Sequence, residues 1–343
     1  MRVAVLMGGI SPERSISLLS GRAVVAALRE RGHEVLAIDP ARGAGGLLAD
    51  EELATLGSDP PSEDFLRSLS PWALVECIGS PLFEGVEVVF PVLHGPYGED
   101  GRIQTLLELR GLPYVGSQAL SSALATDKHV AKLLFVAAGI PTPRWIALDR
   151  EHLRNETVLE DVCAELGTHL VVKPNDQGST IGMSFLHDPT PEELAAAVAE
   201  AARYSELVLI ERYIAGRELT VGILGEEPLP VLEIVPDGGV YDYEHKYTPG
   251  KTQYLCPAEL PEDIAEFTQT LALSAHRILG CRHFSRVDFR LDDEGQPFCL
   301  EVNTIPGMTP LSLLPKAAHV AGIPFPELCE RLVQMALDTA PGC

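Results

Sequence analysis

Apolar and polar positions along the chain fall into short runs of two distinct periods. Val3–Met7 is an unbroken apolar run ending on Gly8-Gly9, the pattern of a strand buried on both faces. Ser11 followed by Pro12 predicts a helix N-cap and first helical position. The helix then runs to about Arg31, and a strand follows across His33–Asp39. Strand, glycine turn, helix and strand in that order predict a parallel βαβ unit. Glu87–Leu93 adds another buried strand. Residues 41–86 are weakly periodic and predict helical pieces and loops inserted into this unit.

A second region opens near Ser117. Asp127 reads as the cap of a helix over Lys128–Ala138, stopped by Gly139. Strands are expected near Arg144–Leu148, His169–Lys173, Ile181–His187 and Leu207–Tyr213, with a helix over Pro191–Tyr204. A third region holds strands across Glu218–Val235, an aromatic loop Tyr241–Tyr254, a helix over Pro261–Leu279, two late strands and closing helices. The expected fold is α/β plus α+β in three units, 1–116, 117–211 and 212–343.

Composition narrows the partners. Of 343 residues, 49 are acidic and 26 basic, a formal net charge of −23. Such a surface repels phosphate backbones and anionic lipid, so neither nucleic acid nor membrane is an expected partner. Seven cysteines, odd in number and without a CxxC pair, read as reduced thiols rather than a disulfide frame or zinc site. The apolar start is too short for a signal peptide, no run of about 18 apolar residues occurs, and a cytoplasmic location is expected.

The strongest chemical signal is a late hairpin, Phe284–Leu291 and Pro297–Asn303. Pairing Asp292 with Pro297 sets Asp288 opposite Glu301 and Arg286 opposite Asn303. All four then project from one face. Two carboxylates and an amide oxygen form a hard-oxygen set suited to magnesium beside phosphates; the same residues would also serve as a surface ion-pair cluster. Lys173 ends an apolar strand and enters the Gly178–Gly182 loop, where backbone N–H groups could wrap phosphate oxygens or simply form a turn. The chain has six lysines against twenty arginines, and Lys128, Lys173 and Lys246 all fall in candidate segments. Buried, Lys173 would need an anionic partner. His94 through Gly101 follows a strand directly, where α/β folds bind ligands; His94 would equally serve as a structural histidine. Glu13 in the first helical turn complements the helix dipole or grips a substrate ammonium.

Taken in order, these segments resemble the D-alanine–D-alanine ligases of the ATP-grasp superfamily. The runs Gly8–Arg14, His94–Gly101, Thr126–Lys128, Lys173–Met183, Glu211–Tyr213, Gly216–Glu218, Tyr241–Tyr247, Arg286–Asp288 and Glu301–Thr309 carry the likeness. The resemblance implies three domains, ATP clamped between the second and third, and joining of two D-alanines through an acyl phosphate for peptidoglycan synthesis. It implies that Lys128, Lys173 and Lys246 hold phosphates, that Gly178 and Ser179 close over them, and that Glu211 and Glu218 meet adenine and ribose. Asp288, Glu301 and Asn303 would bind two magnesium ions, for which manganese can substitute. Glu13 would take the first D-alanine, linked through Ser179 and Tyr247 to the aromatic loop Tyr241–Tyr254, which would act as a lid. His94 becomes an active-site residue, Arg286 and the Gly307 N–H stabilise the tetrahedral intermediate, and Ser312 binds the second D-alanine. A homodimer is expected. Arg212 stands where members often carry lysine, and Leu311 where some carry histidine. The alternative is a relative that joins D-alanine to another D-amino or D-hydroxy acid such as D-lactate.

Overall fold

The computed structural model describes residues 1–57, 59–149, 162–236 and 252–339. Its first sheet is parallel, with β1 (Arg2–Leu6) between β2 (Glu34–Ile38) and β3 (Val88–Pro91). Alternate residues of β1 serve two cores, which is why its apolar run is unbroken. Val3 and Val5 pack on α1 (Arg14–Glu30) and on the last helix of the chain, Phe325–Asp338. Ala4 and Leu6 face the core formed with Leu74 and Ile78 of helix Trp72–Gly79 and Ile103 of helix Arg102–Leu109. Residues 41–86 form short helices, as expected, at Asp50–Thr55, Glu63–Ser68 and Trp72–Gly79 beside two 3-10 turns.

Helix α1 begins two residues later than its Ser-Pro signal predicts, at Arg14 with Glu13 as its N-cap. Ser11 Oγ donates to the His94 carbonyl at 2.6 Å and accepts from Glu13 N at 3.2 Å. Ser11 therefore ties two loops together instead of capping the helix. Arg14 bonds the Gly9 carbonyl and the fully buried Asp39. Gly8 and Gly9 both have positive φ, 82° and 76°, so the chain can turn sharply at the end of β1.

The second sheet is antiparallel, with β4 (Trp145–Asp149), β5 (His169–Pro174), β6 (Ser184–His187) and β7 (Leu207–Arg212) in the order β4-β7-β5-β6. The third orders β8 (Arg217–Leu224), β10 (Leu232–Pro236), β11 (Thr252–Leu255), β12 (Phe284–Leu291) and β13 (Pro297–Asn303) as β11-β10-β8-β12-β13, with the two-residue β9 (Glu227–Pro228) beside β8. Tyr254, expected in a loop, lies in β11 opposite Ile234. Helix Ala119–Thr126 and helix Lys128–Ala137 pack on this third sheet through Ala125, Ala131 and Phe135. Asp127 caps the latter helix by accepting from Val130 N at 3.0 Å. Helix Phe325–Asp338 crosses back to α1, burying Leu328 and Leu332 with Val24 and Leu28. That return brings the first unit's loops to the β12–β13 hairpin.

Candidate active site

Asp288 lies opposite Glu301 and Arg286 opposite Asn303, as the hairpin pattern predicts. The turn end differs: Pro297 pairs with Leu291, not Asp292, and Cys299 with Phe289. A register shift after Asp288 leaves Leu300 as the extra residue. This β-bulge inserts one position and restores the expected pairing at the site. Arg286 makes a bidentate contact with Asp288, Nε–Oδ1 2.9 Å and Nη2–Oδ2 2.7 Å. Thr220 Oγ1 also donates to Asp288 at 2.6 Å. Glu301 stands 3.3 Å from Lys128 Nζ. Asn303 Oδ1 accepts from Ile305 N at 2.9 Å, which fixes the special turn beyond the strand. The donor set is all hard oxygen, shares one face, and lines one cavity, so it fits magnesium.

Beneath the second sheet's face lies a buried ion cluster. Lys173 on β5 and Glu211 on β7 approach to 3.0 Å, meeting the need of Lys173 for an anion. Lys132 reaches the same carboxylate at 3.2 Å, donates to Thr142 Oγ1 at 2.7 Å and lies 5.2 Å from the Trp145 ring. Burial lowers the Lys132 ammonium to about 8, against the pull of Glu211. Burial raises the Glu211 carboxyl, but Lys132 and Lys173 outweigh it and hold it below the ordinary carboxylate range. Sequence reasoning missed Lys132, which reads as one more polar position of an amphipathic helix.

The loops after β1 and β3 complete the site. Ser179 Oγ donates to Glu13, joining the first helix to the glycine-rich loop. Gly95 N donates to Glu99 at 2.8 Å, and His94 Nδ1 lies 3.5 Å from Glu99. Burial opposes charge on His94, yet the Glu99 hydrogen bond and the charges of Glu99 and Glu13 raise its pKa overall. Lys128 Nζ donates to the Gln177 carbonyl at 2.8 Å, on the same loop. Ser312 Oγ accepts from Thr309 N at 3.2 Å; a Cβ on Gly307 would come within 2.9 Å of that oxygen and press on the Ser312 hydroxyl.

These residues surround a cavity of about 750 Å³ between the second and third sheets. Glu13, His94, Lys173, Gly178, Ser179 and Glu211 line it, as do Glu218, Arg286, Asp288, Glu301, Asn303, Gly307 and Ser312. Lys128 stands behind Glu301 and outside the lining. Lys246 and Tyr247 lie outside the described residues. Residues not anticipated are Arg290, 3.5 Å from Glu218, and Lys316, over the Tyr254 ring at 3.9 Å. Arg290 reads as an ordinary outward strand residue, and Lys316 sits in a helix with no flanking motif.

A parallel α/β unit whose loops meet a nucleotide-sized cavity between two antiparallel sheets, with Lys173 on one side and a carboxylate–amide hairpin on the other, defines an ATP-grasp enzyme. The D-ala D-ala ligase N-terminus model matches residues 2–117 and the D-ala D-ala ligase C-terminus model residues 134–334. The chain belongs to the D-alanine–D-alanine ligase family. It is 45% identical to the D-alanine–D-alanine ligase of Syntrophotalea carbinolica over 97% of this chain and 95% of that one. It is 42% identical to that of Magnetococcus marinus, over 98% and 97%. The crystal structure of a D-alanine–D-alanine ligase from Bacillus anthracis complexed with ATP is similar at a TM-score of 0.76 and 30% identity, covering 99% of this chain and 98% of that one. Among the described residues, no helix is long and apolar enough to cross a membrane.

Proposed function

We propose that this enzyme joins two D-alanines at the expense of ATP to give D-alanyl-D-alanine, ADP and phosphate, as a step of peptidoglycan precursor synthesis. The observation that carries the reading is the convergence of Glu13, Ser179, Arg286, Asp288 and Glu301 on one cavity. In the first step a carboxylate oxygen of one D-alanine attacks the γ-phosphorus and ADP leaves. The amine of the second D-alanine then attacks the acyl carbon, the carbon–oxygen bond to phosphate breaks, and one proton is released.

Glu13 holds the first ammonium, positioned by Ser179. His94, kept more cationic by Glu99, faces the first D-alanine carboxylate. Lys128, Lys173 and Lys246 take ATP phosphates, the Gly178–Gly182 loop covers them, and Glu211 and Glu218 meet adenine and ribose. Arg286 and the Gly307 N–H stabilise the tetrahedral oxyanion, and Ser312 binds the second carboxylate. Asp288, Glu301 and Asn303 would hold two magnesium ions, which would neutralise phosphoryl charge, and manganese would serve in their place. An acyl phosphate must be kept from water, and Tyr247, with Ser179 and Glu13, would be the residue that serves this.

The unit boundaries 1–116, 117–211 and 212–343, a homodimer and residence in the cytoplasm belong to the same proposal. Light scattering measures the dimer. The substrate is tested with equal D-alanine and D-lactate at pH 6 and pH 8. Mass spectrometry should find D-alanyl-D-alanine with little depsipeptide. Predominant depsipeptide at both pH values would reject the dipeptide assignment.

A further inference from the structure

The second sheet carries a side-chain cluster that the ligation chemistry does not use. His169 on β5 lies directly opposite His187 on β6. Asp188 N donates to the Thr168 carbonyl at 2.9 Å, which makes 168 and 188 a hydrogen-bonded pair and 169 and 187 the closer, non-hydrogen-bonded kind. Side chains of such a pair leave the same face of the sheet. The two imidazole centroids are 3.9 Å apart with the rings tilted by 42°. Next to them, Asp188 Oδ2 is 3.0 Å from His187 Nδ1. One ligand atom from each of the three residues lies within 4.8 Å of the other two. All three residues are exposed.

We propose that His169, His187 and Asp188 form a binding site for a divalent transition metal of the zinc, nickel and copper(II) class, separate from the carboxylate–amide cluster at Asp288. Two imidazoles and a carboxylate form a nitrogen–oxygen set that favours these metals over magnesium or calcium. Three protein ligands leave positions for water, so the site is open. A simple ion pair of Asp188 with protonated His187 would be an exposed contact of little energy, and it would leave the close approach of His169 without a purpose.

The site's position gives it a consequence. Side chains alternate along a strand, so His169 shares a face with Val171, and His187 with Phe185, both of which wall the cavity. The same two strands are joined by the loop bearing Gly178 and Ser179. A bound metal therefore cross-links the open end of the hairpin whose closed end is the glycine-rich loop. The metal binding stands whether or not that loop covers phosphates.

Copper(II) electron paramagnetic resonance on the chelator-treated full chain, with one equivalent of Cu2+, tests it. The expected spectrum has nitrogen superhyperfine coupling from two imidazoles and persists in excess Mg2+. His169→Ala and His187→Ala should each remove one nitrogen and weaken Cu2+ binding by about tenfold or more. Asp188→Asn should weaken binding while keeping both nitrogens. Circular dichroism verifies that each exposed-site variant is folded, and His187→Gln replaces His187→Ala if it is not. Coupling unchanged in both histidine variants, a spectrum without nitrogen coupling, or displacement by Mg2+ would overturn the proposal.

Discussion

Replacing Glu301 with glutamine keeps the shape of the hairpin site and removes one charge. In the wild type, the carboxylates of Asp288 and Glu301 are balanced by Arg286 and Lys128, at 2.7 Å and 3.3 Å respectively. The variant's cluster therefore carries a net positive charge where a dication must bind. A unit charge near 4 Å is worth about 1 kcal/mol even at the dielectric of water, hence ~2 kcal/mol for a dication. That is roughly 30-fold in affinity, and more as the site dries. The assay is D-alanine-dependent ADP release against free Mg2+ at saturating ATP. The half-saturating Mg2+ concentration should rise by at least this factor. Facing carboxylates alone would predict a gain in stability on neutralisation, but the Lys128 pairing removes it. Because Glu301 is one-third exposed, thermal stability should change by only about 0–1 kcal/mol, slightly downward. Magnesium dependence within threefold of wild type at unchanged turnover would refute the charge argument.

Three further outcomes follow from the same contacts. Arg286→Ala should lower turnover by ~100-fold, as loss of one preorganised oxyanion donor does, while ATP binding measured by calorimetry stays close to wild type; loss of ATP binding instead would make Arg286 a phosphate ligand. Burial lowers Lys132 from 10.5 to about 8, so between those values the unfolded chain binds more protons than the folded one and stability gains with rising pH; Lys132→Met should flatten that part of the stability difference in denaturant titrations at pH 8 and 9. At the acid end, Gly116 N donates to His283 Nδ1 at 3.0 Å and the ring's Nε2 meets Thr339 Oγ1 at 2.8 Å, an arrangement that needs a neutral ring. Burial pushes His283 down to about 3, so stability should fall as pH drops below about 6.5, and His283→Gln should lose less between pH 6.5 and 4.

The sequence exposed what depends on period and order. Alternation along β12 and β13 placed Asp288 and Glu301 on one face, and Asp127 with Gly139 bracketed a helix within one residue. Local pattern does not report where a helix face is buried. Lys132 has the spacing of a solvent-facing lysine, yet helix Lys128–Ala137 packs on the third sheet and turns that position toward Glu211. The bulge at Leu300 was equally hidden, because one extra residue in a strand leaves no mark on alternation beyond a single misplaced apolar side chain. Ser11 was misread for a related reason: its partner is the His94 carbonyl, distant in sequence. Tyr254 looked like loop because aromatic and polar residues crowd around it, while its strand exists only through pairing with β10.

The central claim is that a D-alanine carboxylate is activated as an acyl phosphate inside the cavity between the two antiparallel sheets. Its most direct test uses D-alanine carrying oxygen-18 in both carboxylate oxygens, with ATP and magnesium, and mass spectrometry of the inorganic phosphate formed. The carboxylate oxygen that attacks phosphorus leaves with it when the second amine displaces the phosphate. The account predicts one labelled oxygen per phosphate, formed in a one-to-one ratio with D-alanyl-D-alanine. Unlabelled phosphate accompanying dipeptide would contradict it.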